Sequence, residues 1–181
     1  MTVFADLNGT FNADPTHSRI GFSVRHMMVS KVRGQFNQYD VNATFEPNAQ
    51  PKVEVVIDAS SVDTGNEDRD NHLKQNDFFL AEEYNQIRFV STDIQPKGED
   101  EVVVTGDLTI RDVTKPITMT MEVGGKLIDP YGLERIGLEG STTISRTDYN
   151  VNFNAALETG GVVVSDKVTL EIELALVKPA A

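Results

Sequence analysis

Residues 15–39 read P-T-H-S-R-I-G-F-S-V-R-H-M-M-V-S-K-V-R-G-Q-F-N-Q-Y, and this stretch decides how the rest of the chain is read. Ser18, Ile20, Phe22, Val24 and His26 share one parity, and Arg19, Gly21, Ser23 and Arg25 share the other. A period of two puts the sets on opposite faces of a strand, one apolar and ending in His26, the other carrying arginines. The stretch holds no Asp or Glu but does hold Arg19, Arg25, Lys31 and Arg33, in a chain of formal charge −12.

The same period recurs outward in both directions. Thr10–Ala13 suits a short lead-in strand, and Asp14-Pro15 is a turn signal. Val41, Ala43 and Phe45 alternate with polar neighbours, as do Val53, Val55 and Ile57, with Val56 breaking the pattern. A strand begins at Ile87 and Phe89 and runs toward Ile94, ahead of a turn over residues 95–98. Long alternating faces follow near 101–111, 116–124, 134–145 and 167–177, with a break over 112–116. Each has one apolar face, so each is covered on one side and wet on the other. Gly124-Gly125 and Gly160-Gly161 read as turns or bulges. About eight such strands joined by short turns predict an all-β, up-and-down antiparallel barrel, with a two-sheet sandwich as the competing architecture.

Residues 60–84 lack alternation. Asn66 can cap a helix whose first turn carries Glu67, Asp68 and Asp70, the sign that complements the helix dipole. With Leu73 its only large aliphatic residue, this two- to three-turn helix is expected to lie across one end of the barrel. Phe78, Phe79 and Leu80 would pin the exit.

At 181 residues the chain reads as one domain, and without cysteine it has no disulfide or thiolate metal site. An excess of 28 acids over 16 Lys plus Arg argues against general nucleic-acid binding and against adhesion to anionic lipid, a locally basic spot excepted. No apolar run approaches the ~20 residues of a transmembrane segment. The first nine residues show no secretory signal, so the chain as written reads as cytoplasmic, and as periplasmic or secreted if a leader has been removed. His17 and His26 fall on opposite faces and no close histidine pair exists, so no metal site is expected. No cofactor loop or nucleophile elbow is visible.

Several motifs are similar to those of a known family. These are Asp14-Pro-Thr-His17-Ser18, Phe22-x-Val24-x-His26, Gly34-x-Phe36, Thr64 with Arg69-Asp70-x-His72-Leu73, and Asp77-Phe78-Phe79. Later come Gly106-Asp-Leu-Thr-Ile110, Val113-Thr-Lys-Pro116 and Ile144-Ser-Arg146-x-Asp148-Tyr149. In order and over nearly the whole chain they resemble the YceI-like family. The resemblance implies an extended, eight-stranded, lipocalin-like antiparallel barrel over 1–181, with one short helix in the 60–84 segment. It also implies a long isoprenoid-type or other amphiphilic lipid in the interior, and a homodimer. The family usually carries an aromatic residue, often Trp, near the first motif; here Phe11 stands in and there is no Trp.

A barrel of eight strands is just wide enough to be filled by side chains or to hold one small ligand. On the second reading the wall candidates are Phe22, Val24, His26, Phe36, Phe45, Ile57, Phe89, Leu108, Ile110, Met119, Met121, Ile136, Leu138 and Leu170. Arg25, Lys31 and Arg33 are candidates for contact with a polar head group at one mouth. Arg69, Asp70, His72, Asp77, Arg146 and Asp148 read as fastenings of irregular segments. The alternatives are an enzyme acting on a hydrophobic substrate through His26 or His72, and a ligand-free interaction module.

Overall fold

The computed structural model describes residues 2–155, 157 and 162–180. Gly160-Gly161, expected at a turn or bulge, lie outside the described residues. The strands are β1 (Gly9–Ala13), β2 (Arg19–His26), β3 (Ser30–Phe36), β4 (Tyr39–Phe45), β5 (Lys52–Asp58), the two-residue β6 (Val62–Asp63), β7 (Gln86–Lys97), β8 (Glu101–Ile110), β9 (Val113–Ile128), β10 (Glu134–Ser145) and β11 (Val164–Val177).

Pairing closes the sheet. β11 takes β2 along most of its length and β1 at its end, where Leu176 faces Ala13. β1 and β2 are therefore two halves of one bent stave. Their joint is stitched by Asp14 N–H donating to Ala175 O (2.8 Å) and Ala175 N–H donating to Ser18 Oγ (3.0 Å). β3 and β4 form the second broken stave, pairing with β2 and β1 respectively. With β5, β7, β8, β9, β10 and β11 this makes a closed, eight-staved antiparallel barrel and not a sandwich. Among the described residues, closure leaves no long edge to recruit another strand.

The two prolines expected to break strands do not. β7 runs through Pro96 to Lys97 and turns at Gly98, whose φ of 68° favours glycine. β9 starts at Val113 and carries Pro116 opposite Asp107, so the break shrinks to Arg111-Asp112. Gly124-Gly125 form the expected bulge, at the register shift between Ile136 and Leu138.

Inside, bulky rings face glycines. A Cβ on Gly34 would come within 2.4 Å of the Phe22 ring, its cross-strand neighbour, and one on Gly106 within 2.4 Å of Phe89. The missing side chains leave room for the ends of the Phe22 and Phe89 rings over the neighbouring strands.

Helix α1 (Glu67–Leu73) buries no residue fully, as its composition requires. Asn66 Oδ1 accepts from Arg69 N–H at 3.0 Å, and Glu67, Asp68 and Asp70 occupy the first turn. Asp70 Oδ1 accepts from Thr64 N–H (2.8 Å) and Thr64 Oγ1, while Arg69 Nε donates to Thr64 Oγ1 (2.7 Å). These residues fasten the segment, and what they fasten is a cap.

Candidate functional site: an apolar lumen

The barrel encloses a cavity of about 240 Å³. One end is stopped by aromatic packing: Phe4, in a 3-10 turn, and Phe11 of β1 both lie against Phe45 of β4, with centroid separations of 5.1 and 5.4 Å. Phe11 is wholly buried, so its ring belongs to this plug. The other end is covered by the cap, whose Leu73, Phe78 and Phe79 reach the cavity. A relay of rings, Phe22 to Phe36 and Phe36 to Phe79, each 5.8 Å apart, joins β2 to that cap.

Among the described residues 35 line the cavity, and of these Arg146 alone has a polar side chain. The space has no polar partners to hold water, and an apolar cavity of that kind stays dry. Arg146 is buried at 5% exposure and forks to three carbonyls, Nε to Ser165 (2.9 Å), Nη1 to Val151 (2.7 Å) and Nη2 to Val164 (3.2 Å). Burial pulls its guanidinium below the ordinary arginine value, against an opposing pull from Asp166. It fastens Val151, at the start of the long excursion before β11, to the beginning of that strand.

Arg111, in the β8–β9 turn, makes the corresponding bond across the cap. Its Nη1 donates to the carbonyls of Asn76 (3.0 Å), Phe78 (3.1 Å) and Asn150 (3.2 Å), and Nη2 to Asn76 Oδ1 (3.1 Å). The guanidinium also sits 5.4 Å from the Tyr84 ring centre. Nothing in the sequence marks Arg111; its φ of 55° and its partners 33 to 39 residues away exist only in the folded chain.

Among the sequence-derived candidates, Phe22, Val24, Phe36, Phe45, Ile57, Phe89, Leu108, Ile110, Met119, Met121, Leu138 and Leu170 come together in the wall. Ile136 and His26 do not. Ile136 is buried in the core beside Leu176, in the layer nearest β1. His26 closes β2 at the hairpin, one step beyond the lumen. Arg25, Lys31 and Arg33 gather on one outer face of the β2–β3 hairpin, exposed and off the wall. Alternation missed Leu73, Phe78 and Phe79 as wall residues because they arrive from an aperiodic segment. The other catalytic candidate, His72, donates from Nε2 to Asp77 Oδ2 (2.7 Å) and packs edge-on against Phe78 and Phe153; it too is absent from the wall.

Barrel and lumen together define a hollow, lipocalin-like protein whose interior is hydrocarbon. The chain belongs to the YceI-like domain family, whose model matches residues 11–176. It is 43% identical to a UPF0312 protein of Staphylococcus epidermidis over 164 residues, 89% of this chain and 93% of that one. The structure of Burkholderia cenocepacia BcnA superposes with a TM-score of 0.78 at 26% identity, covering 92% of this chain and 99% of that one. A polyisoprenoid binding domain from Saccharophagus degradans shares the fold, with a TM-score of 0.70 at 19% identity over 93% and 98% of the two chains.

Proposed function

We propose that this barrel is a non-enzymatic binding protein that holds the apolar chain of an isoprenoid-type or similar amphiphilic lipid in its lumen. One observation carries the reading: among the described residues, a wall of 35 with a single polar side chain. A packed interaction module has no use for such a space, and an enzyme would need reactive groups facing it. Neither His26 nor His72 does so. The fold shared with a polyisoprenoid binding domain supports the choice of ligand class.

Size limits the mechanism. An apolar cavity of ~150 Å³ holds benzene, with six carbons. By proportion, the resting lumen of about 240 Å³ takes roughly ten carbons. A longer chain enters only if the Phe36, Phe78 and Phe79 rings and the cap give way. Burying forty carbons at ~0.8 kcal/mol each would amount to about 30 kcal/mol, beyond the roughly −18 to −21 kcal/mol ceiling of non-covalent binding. The guest therefore comes from a bilayer or micelle, where most of that term cancels, and the protein competes with the membrane through the shape of its lumen.

Native mass spectrometry of protein purified without detergent tests the proposal. A co-purifying hydrophobic mass, released by organic solvent, is expected. A clean ligand-free mass from cells grown under several conditions would sink it.

A further inference from the structure

The hairpin between β2 and β3 is built against its own stability. Its tip, Met27-Met28-Val29, is exposed at 47%, 62% and 82%, and Val162 beside it at 37%. Val162 adjoins because Met27 N–H donates to Val163 O at 2.7 Å. Met27 and Met28 have φ of 52° and 60°, and Val29 N–H closes the turn on His26 O at 3.2 Å. Two consecutive left-handed residues are the pattern of a type I′ turn, whose favoured sequences are Asn-Gly and its kin. Methionine at either place is strained, and strain kept at an exposed site points to function.

The flanks repeat the pattern. Arg25 lies directly opposite Lys31, a like-charge cross-strand pair that destabilises the hairpin, and Arg33 lies two residues on along the same face. None of the three is ion-paired to a described residue. The tip projects just past the lumen: Val24 and Val164 line the cavity, and His26 pairs with Val164. Met27 is three residues beyond Val24, or about 10 Å along a strand.

We infer that the β2–β3 hairpin docks the protein on anionic bilayers, with Met27, Met28 and Val29 entering the interface and Arg25, Lys31 and Arg33 meeting lipid phosphates. An apolar tip ringed by cations is the composition that such surfaces select. The net charge of −12 does not forbid it, because at physiological salt a charge acts over only about 8 Å, no acid occurs in the sequence from 15 to 39, and Asp166, in the β11 bulge opposite Val24–His26, is bonded to Ser145 and Thr147. The purpose assigned to docking rests on the lumen being a lipid site, but the assay below reads docking alone. An empty lumen and a failed hairpin are thus separate results.

The test is flotation of the full chain with vesicles of phosphatidylcholine alone or mixed with phosphatidylglycerol, at low and high salt. Binding to the mixed vesicles that weakens with salt is expected. Lys31→Gln with Arg33→Gln should weaken it by roughly fivefold per charge. Met27→Asn with Met28→Gly should raise the unfolding temperature, since it supplies a preferred turn, yet lower vesicle binding by about tenfold or more. Three outcomes overturn the inference: no binding, equal binding to both vesicle types, or unchanged binding by the stabilised turn variant. A concentration-dependent dimer abolished by the same variant, without vesicle binding, would assign the tip to a second copy and overturn it as well.

Discussion

Arg135 of β10 reaches back across 121 residues to Asp14, its Nη1 donating to Oδ2 at 2.9 Å while its Nε donates to Asp129 Oδ2 at 2.6 Å. One guanidinium thus holds the joint of the bent β1–β2 stave and the turn between β9 and β10. Arg135, then His17 and Thr16, hold the Asp14 carboxyl well below the ordinary carboxylate value of 3.8. Arg135 and the amides of Leu133 and Tyr131 lower Asp129 in the same direction.

The sign of the pH dependence follows. Depressed carboxylates contribute stability that is fully present above their unfolded values, near 3.8, and is lost as pH falls through the lower folded ones. Arg135→Gln should lower the thermal midpoint by several degrees at pH 7, with the gap to wild type narrowing below about pH 3. A gap that stays constant down to pH 2, followed by circular dichroism, would show that the carboxylates are not what Arg135 stabilises.

Arg111 holds the cap shut by bonding to Asn76 and Phe78 on one side and Asn150 on the other. Arg111→Ala should speed amide exchange at Phe79 and Ala81, whose N–H groups bond within the cap, while β8 and β9 stay protected. Release of a fluorescent fatty acid should accelerate by about tenfold, one charged fork being worth at least ~1.5 kcal/mol. Unchanged exchange in the cap would show that Arg111 is not its latch.

Met119 stands in the wall midway along β9, opposite Val104 of β8. Met119→Trp should fill part of the 240 Å³ lumen. The variant should keep or gain thermal stability, since it occupies a void at little cost in strain, and should retain less extractable lipid. Full lipid retention with a stable fold would place the ligand outside the lumen.

The strand near 134–145 was legible to the residue, β10 running Glu134–Ser145, because alternation there is uninterrupted by glycine pairs or proline. Twelve of the fourteen wall candidates follow from the same parity, which puts every second side chain on one face. His26 shows the limit: it has the inward parity, but parity does not say where the lumen ends along a strand. Arg25, Lys31 and Arg33 likewise gather as the acid-free run suggests, on the outer face of the hairpin and off the cavity wall.

Period, turn chemistry and the motif series settled an all-β chain with inward and outward faces and a short capping helix, because these depend on neighbours a few residues apart. Closure of β11 on both β1 and β2 did not follow from them, nor did the Phe4 plug, the Arg111 and Arg146 clasps or the hollow interior. Each of these needs groups distant in sequence to meet at one place, and a void is a property of what all the inward side chains together fail to fill.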